Sequence, residues 1–78
     1  MLLEIITPDK KLYNDEVKSL ILPGIDGSLG ILDKHAPLIS ALKKGQIEVT
    51  DKASAKHNFP INGGVVEVLN NKVIVLAE

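Results

Sequence analysis

The side chains best suited to metal binding or catalysis in this sequence are two histidines, His35 and His57. They have neither the i, i+4 spacing nor the H-E-x-x-H motif with which a helix presents two histidines to a metal ion. No G-x-S-x-G motif places a serine at a strand-to-helix turn, so a Ser-His-Asp hydrolase is not indicated. His35 is expected to hydrogen-bond within its loop or to face a partner. We predict no catalytic residue, no metal ligand and no cofactor.

Three glycines, Gly24, Gly27 and Gly30, have a regular spacing that a phosphate-binding loop could use. The spacing is G-x-x-G-x-x-G, which is neither the dinucleotide fingerprint nor the P-loop motif. No helical sequence follows them to offer an anion-binding N-terminus. We therefore interpret these glycines as turn residues.

Length and charge limit the remaining classes of function. The chain has 78 residues, no cysteine and a net charge of -1, and all nine of its basic residues are lysines. One domain spanning residues 1–78 is expected at this length. Without arginine or a positive surplus, nucleic acid binding is not expected. No apolar run reaches the roughly 18 residues of a membrane span, and Glu4 interrupts the only candidate signal segment, so we predict a soluble, non-secreted protein.

The elements that must position any site are short and β-like. Turn residues separate brief stretches rich in Ile, Leu and Val, which predicts an all-β fold. Asp26-Gly27 and Asn70-Asn71 are predicted hairpin turns, because these residue types tolerate positive φ. Residues 51–56 have a helical composition but are too few for a stable helix, so a loop or single turn is predicted. The predicted strands are Leu2–Thr7, Glu16–Leu22, Ser28–Leu32, Pro37–Leu42, Gln46–Thr50, His57–Ile61, Val65–Leu69 and Lys72–Leu76.

Apolar residues exceed what a small sandwich needs for its core. Gln46 to Thr50 alternates cleanly between polar and apolar residues, whereas Leu20 to Leu22 and Val73 to Leu76 are apolar on both faces. Isolated exposed aliphatic residues are common on monomers. The alternative is that some of these outward side chains contact a partner.

Lys52 suggests one specific activity. Glu48 to Ala53, followed by Pro60 to Val65, resembles the E-T-D-K-A and P-x-x-G-x-V signature of lipoyl and biotinyl carrier domains. In that family the lysine at the hairpin tip carries the cofactor, which here would be Lys52. About ten residues follow the second motif, too few for the family's remaining strands. Lys52 is otherwise an ordinary solvated lysine.

A second resemblance covers the whole chain. Asp26 to Leu38 is similar to the G-x-L-G-I-x-x-x-H-A-P-L block of the epsilon subunit of rotary F-type ATP synthases. Leu42 to Ile47 resembles that family's L-x-x-G-x-I, and Asn62 to Val68 resembles its S/N-G-G-x-x-E-V. Asn71 to Glu78 is similar to N-x-V-x-V-L-A-D/E, and Leu3 to Tyr13 fits the N-terminal segment.

This resemblance implies a flattened antiparallel β-sandwich of about ten short strands, without the C-terminal helical hairpin that most family members add. It implies a gamma-subunit contact at Thr7, His35 and Ser40. It also implies a c-ring contact at the turn formed by Asp26, Gly27, Ser28, Leu29 and Gly30. Ser28 is expected to lie outermost, where many relatives carry an acidic residue.

The function implied by the resemblance is structural. The domain would be a non-catalytic central-stalk subunit that couples proton translocation to ATP synthesis, bound to gamma and the c-ring within the complex that holds the alpha/beta hexamer. It would be peripheral to an energy-transducing membrane, at the cytoplasmic face of a bacterial inner membrane. Because the sequence stops at Glu78, the inhibitory helical domain of many relatives is expected to be missing.

Overall fold

The computed structural model describes residues 1–78, which form eight β-strands and no helix. No helix is therefore present that could span a membrane. The strands are β1 (Leu2–Ile6), β2 (Lys11–Gly24), β3 (Gly27–Leu32), β4 (Leu38–Leu42), β5 (Gly45–Asp51), β6 (Lys56–Ile61), β7 (Gly64–Leu69) and β8 (Lys72–Ala77).

The strands form two layers. All eight strands are hydrogen-bonded into one continuous sheet. We call its two layers the first sheet, β4-β7-β8-β1, and the second sheet, β3-β2-β5-β6; β2 joins them through β1 and through the Gly24–Leu42 pair with β4. Neighbouring strands are antiparallel except β1 and β8, which run parallel. Strand β2 belongs to both layers: residues 11–16 pair with β1, and residues 17–24 pair with β3 and β5. A register shift between Val17 and Ser19 marks the point where β2 changes layers, because a bulge bends a strand and increases its twist.

The core lies between the two sheets and is entirely apolar. Alternate residues point inward, as the two-residue period of a strand requires. No polar or charged residue is buried. The core residues are Met1, Leu3, Ile5, Val17, Leu20, Leu22, Ile31, Leu42, Ile47, Val49, Ile61, Val66, Val68, Val73, Val75 and Ala77.

The all-β prediction is confirmed, and each of the eight predicted strands is present. The structure has eight strands rather than the about ten that the resemblance implied, and β2 is one continuous strand of 14 residues. The sequence prediction began this strand at Glu16, since residues 11–15 are mostly polar. In the structure they pair with β1 along its whole length. Residues 52–54 form a turn, as predicted for that segment.

The two predicted hairpin turns differ in outcome. Asn70 and Asn71 both have positive φ, 51° and 60°, and connect β7 to β8 as expected. The β2–β3 turn is shifted by one residue, because Gly24 pairs with Gly27 and leaves Ile25 and Asp26 as the loop. Asp26 does not have positive φ, whereas Gly27 does, at 135°. A Cβ on Gly24 would lie 2.5 Å from the Gly27 carbonyl oxygen, which explains the glycine there.

Candidate functional site

The outer side of the first sheet carries a continuous apolar surface, which we call the apolar face. The strand register aligns apolar side chains across this sheet: Val65 lies opposite Leu76, and Leu76 lies opposite Ile6. Ile39 is 72% exposed and Leu76 is 56% exposed, so these side chains are presented to solvent rather than to the core. The aliphatic residues of the apolar face are Ile6, Ile39, Val65, Leu69, Ile74 and Leu76.

Two carboxylates lie within the apolar face, and they differ in their partners. Glu4 on β1 is held between two ammonium groups, with Lys11 Nζ 3.1 Å and Lys72 Nζ 3.2 Å from its carboxylate oxygens. These hydrogen bonds from Lys11 and Lys72 lower the pKa of Glu4. Glu67 on β7 is exposed and forms no ion pair. The apolar face therefore contains one neutralised carboxylate and one free carboxylate.

Two shallow grooves border the apolar face at opposite ends. The groove at one end is lined by Ile6, Thr7, Pro8, Val65 and Leu76, together with the backbone at Gly64 and the last two residues. The groove at the other end is lined by Pro37, Leu38, Ile39, Glu67, Val68 and Leu69. The apolar face is thus continuous with shallow concave surface at both ends.

Thr7 lies at the rim of the first groove. Its hydroxyl donates to the Lys10 carbonyl oxygen at 3.1 Å and accepts from the Lys10 N–H at 3.2 Å. Those bonds close the turn between β1 and β2, which gives Thr7 a local structural role. Its place beside Ile6 and Leu76 also puts it next to any molecule docked on the apolar face.

His35 lies toward the other end of the apolar face, and Ser40 lies midway along β4. The loop of His35 is held near the β7–β8 turn, because the Lys34 N–H donates to Asn71 Oδ1 at 2.6 Å. His35 is half-buried, and its Nδ1 lies 2.7 Å from the Ala36 carbonyl oxygen, as expected for a hydrogen bond within the loop. Ser40 pairs with the buried Val66 and points toward the inner side, so Ile39 rather than Ser40 contributes its side chain to the apolar face.

The predicted c-ring turn projects from the Thr7 end of the molecule. Asp26, Gly27, Ser28 and Gly30 are exposed, whereas Leu29 is partly buried and packs on the core. The Ile25 N–H donates to the Ala41 carbonyl oxygen at 3.1 Å, which places the turn beside the end of β4. The structure therefore places Thr7 and this turn at one end, His35 at the other end, and the apolar face between Thr7 and His35.

The outer side of the second sheet, which we call the polar face, has the opposite character. The predicted alternation in β5 is confirmed, with Ile47 and Val49 buried and the intervening side chains outward. Two large aliphatic side chains are exposed on this sheet, Ile21 at 43% on β2 and Leu32 at 66% at the end of β3. The outward residues of the polar face are Gln46, Glu48, Thr50, Lys56 and Asn58.

The one histidine–carboxylate pair lies at the tip of the β5–β6 hairpin. Asp51 Oδ2 is 2.7 Å from His57 Nε2, and Asp51 Oδ1 accepts from the Ala53 and Ala55 N–H groups at 2.9 Å each. The hydrogen bond from His57 is the main cause of a lowered pKa at Asp51, followed by that from Ala55. Asp51 thus caps the turn, which is a structural use of the pair. No three His, Asp or Glu side chains are grouped closely enough to hold a metal ion.

Sequence reasoning missed Ile39, Val65 and Glu67 as candidate site residues. The sequence signal that pointed to this surface was the unbroken apolar run in β8, which predicts outward apolar side chains at Ile74 and Leu76. The neighbours of that run depend on which strands lie beside β8. Strand order is a long-range property, so it was not visible in local patterns.

Fold and surface together define an all-β domain with an unpartnered apolar face, which is the character of an interaction module. The chain belongs to the ATP synthase Delta/Epsilon chain beta-sandwich domain family, which matches residues 1–78. It is 42% identical over 77 residues to the ATP synthase epsilon chain of Syntrophomonas wolfei, covering 99% of this chain and 56% of that relative. It is 43% identical over 76 residues to the ATP synthase epsilon chain of Chlorobium limicola, covering 97% of this chain and 86% of that relative.

Solved structures show the same fold. A chain in the cryo-EM structure of the Euglena gracilis mitochondrial ATP synthase, OSCP/F1/c-ring, superposes with a TM-score of 0.93 at 22% identity. The match covers 99% of this chain and 49% of that chain. The chain studied here thus spans about half of that chain and 56% of the Syntrophomonas wolfei relative.

The comparisons give no support to the lipoyl or biotinyl carrier interpretation. The whole chain, including the two segments that suggested it, matches the ATP synthase family. Lys52 does lie in a hairpin turn, as the carrier motif requires, but the turn is organised by the Asp51 cap. A hairpin-tip lysine is compatible with many β-folds and does not identify a carrier domain.

Proposed function

We propose that this chain is the β-sandwich part of a non-catalytic rotor subunit in the central stalk of a proton-translocating F-type ATP synthase. It would contact the gamma subunit and the c-ring in the complex that also contains the alpha/beta hexamer, and so couple proton movement to ATP synthesis. It would be peripheral to the membrane, held there through the complex, at the cytoplasmic face of a bacterial inner membrane. The observation that carries this proposal is the end-to-end match to the epsilon-chain family.

The geometry supports two contact regions for the two partners. The gamma side would include Thr7, His35 and Ser40, of which Thr7 and the His35 loop lie toward opposite ends of the apolar face. The c-ring side would be the exposed Asp26–Gly30 segment. Ser28 was expected to lie outermost, but it pairs with Pro23, and Ile25 and Asp26 form the tip of the turn. A rotor element needs both contacts at once, and the turn projects from one end without covering the apolar face.

The assembly is tested by affinity purification with the tagged chain from detergent-solubilised membranes of its source organism. We expect recovery of the gamma, c, alpha and beta subunits, identified by mass spectrometry. Recovery of dehydrogenase, acyltransferase or ligase components instead, with a mass increase at Lys52, would reject the stalk assignment.

The c-ring contact is tested separately by cross-linking. The chain contains no cysteine, so Ser28→Cys provides a single attachment point. We expect a photoactivated cross-linker at this position to label the c subunit. Asn58→Cys, exposed on the polar face, is the matched control and should not label it. Equal labelling from both positions would argue against a c-ring site at the turn.

A further inference from the structure

We propose that the apolar face docks a protein partner that places one lysine or arginine side chain against Glu67, inside an otherwise apolar contact. This inference rests on the proposed function and deepens it: the partner is the gamma subunit, and Glu67 determines its register. Glu67 is at the centre of the face, directly opposite Ile39 on β4 and Ile74 on β8. Val65 and Leu69 lie two residues away on the same side of β7.

A partner that covers this face must neutralise Glu67. Burying a carboxylate among aliphatic side chains is costly unless a cation or several hydrogen-bond donors accompany it. No donor of this chain is within ion-pair distance of Glu67. The compensating group must therefore come from the partner, and one lysine or arginine side chain is the simplest group that supplies it.

Both lysines next to the apolar face already form ion pairs with Glu4. Lys72 is diagonal to Glu67 across β7 and β8, but its ammonium group is 3.2 Å from Glu4. Lys11, at the far side of β1, is also bound to Glu4, at 3.1 Å. A second copy of this chain would bring the same two paired lysines and another free carboxylate. Charge complementarity thus favours a different protein over a homodimer.

The size of the molecule makes Glu67 central to any stable contact here. The two largest principal extents are 27 and 24 Å, and a standard interface occupies roughly 800 Å² on each partner. Such an interface covers a whole face of this domain rather than one corner. The aliphatic neighbours of Glu67 would then be buried together with it, and water would be excluded from the ion pair.

The polar face provides a matched control for Glu67. Glu48 is also an exposed glutamate in the middle of a strand, directly opposite Ile21 on β2 and Asn58 on β6. It likewise forms no ion pair. Residue type and strand context are therefore alike, and the outer face on which the side chain lies is what differs.

The experiment measures binding of purified gamma subunit from the same complex to the wild-type chain and to Glu67→Gln, Glu67→Lys and Glu48→Gln. Thermal melts and circular dichroism confirm that each variant is folded. We expect Glu67→Gln to raise the Kd about tenfold or more, because it leaves the partner's cation unpaired. Glu67→Lys should raise the Kd further, and Glu48→Gln should leave it unchanged within about twofold. The dependence of the Kd on salt should be weaker for Glu67→Gln than for wild type.

The other outcomes distinguish failure of the role proposed for Glu67 from failure of the proposed function. If wild type binds gamma and Glu67→Gln binds equally well, the role of Glu67 is rejected while the stalk assignment stands. If wild type fails to bind gamma, the proposed function itself is rejected. Sedimentation of the chain alone adds a third outcome: a dimer that dissociates on Glu67→Lys substitution would identify a second copy as the occupant and overturn the inference.

Discussion

The two outer faces of the sandwich are built by the same rule and differ in chemistry. Both sheets bury alternate aliphatic side chains completely, so their inner sides contribute to one core. Their outer sides differ, since the first sheet exposes Ile39, Val65, Leu69 and Leu76, while the second exposes Ile21 and Leu32 among mainly polar residues. The polar face thus has fewer outward aliphatic side chains. The larger apolar area on the first sheet is the kind of surface that marks protein contacts, and it supports the proposed docking there.

The largest change in the free energy of unfolding is expected for a substitution at Gly64, which begins β7 beside the apolar face. Its φ is +145°, and an added Cβ would lie 2.2 Å from the Leu76 carbonyl oxygen. Gly64→Val should cost about 4 kcal/mol through backbone strain and overpacking, comparable with the whole stability of a marginal domain. Circular dichroism with urea denaturation measures this.

Gly30 is the control for that substitution, since nothing lies within 4 Å of a Cβ added there. Gly30→Val should change the free energy of unfolding by less than about 0.5 kcal/mol. Similar midpoints for the two variants would mean that the Leu76 backbone moves aside easily, which the close β7–β8 pairing argues against.

The next largest change in stability is expected on the inner side of the first sheet, where it can be compared with a substitution on the outer side. Val66 is fully buried, and its neighbour Val65 is 41% exposed on the apolar face. Val66→Ala should lower the free energy of unfolding by about 2 kcal/mol, and Val65→Ala by less than about 0.5 kcal/mol. Urea unfolding gives the stabilities, and titration with gamma gives the affinities. We expect the order to reverse for binding, with Val65→Ala the more damaging change.

A smaller effect is expected at the loop that borders the second groove. His35→Ala removes one partly exposed hydrogen bond to Ala36, so the fold should lose less than about 1 kcal/mol. Binding to gamma should weaken about three- to tenfold if the loop is part of the contact. His57→Ala, at the hairpin tip of the second sheet, is the control and should bind as wild type does. Equal weakening of gamma binding by both substitutions would contradict a contact that involves the His35 loop and not the second sheet.

The smallest effect concerns pH and the ion pairs of Glu4. Its pKa is lowered from 4.5 by hydrogen bonds from Lys11 and Lys72. A carboxyl with a lower pKa in the folded state stabilises the fold above its unfolded pKa, and this contribution is lost as the pH falls through the folded value. The difference in unfolding free energy between wild type and Glu4→Gln should thus be largest near neutral pH and shrink in acid. Added salt should also reduce it, because these groups are near solvent. A difference that is constant from neutral to acidic pH would contradict the assignment.

Local sequence patterns predicted much of the fold. The eight strands, the Asn70-Asn71 turn and the alternation in β5 follow from residue type and spacing alone. The length of β2 did not, because residues 11–15 are polar and are held by pairing with β1 rather than by intrinsic preference. The parallel pairing of β1 and β8 joins the two ends of the chain, which no local pattern encodes.

Part of the candidate site overlaps with the residues that motif resemblance selected. Motif resemblance placed Thr7 and the His35 loop, and both border the apolar face. It also selected Ser40, whose side chain is turned inward by the same alternation that turns Ile39 outward. The isolation of Glu67 depends on Lys72 bonding to Glu4 on a neighbouring strand, and this requires the register of three strands.

Strand β2 has a mechanical consequence. Because one half of it is hydrogen-bonded in each layer, a force that slides one sheet over the other acts along covalent backbone. Sliding one layer over the other would require the ladder hydrogen bonds on one half of β2 to break together. A sandwich held only by its core would shear at the soft plane between its layers. The shared strand therefore connects the two layers through covalent backbone and ladder hydrogen bonds as well as through the core.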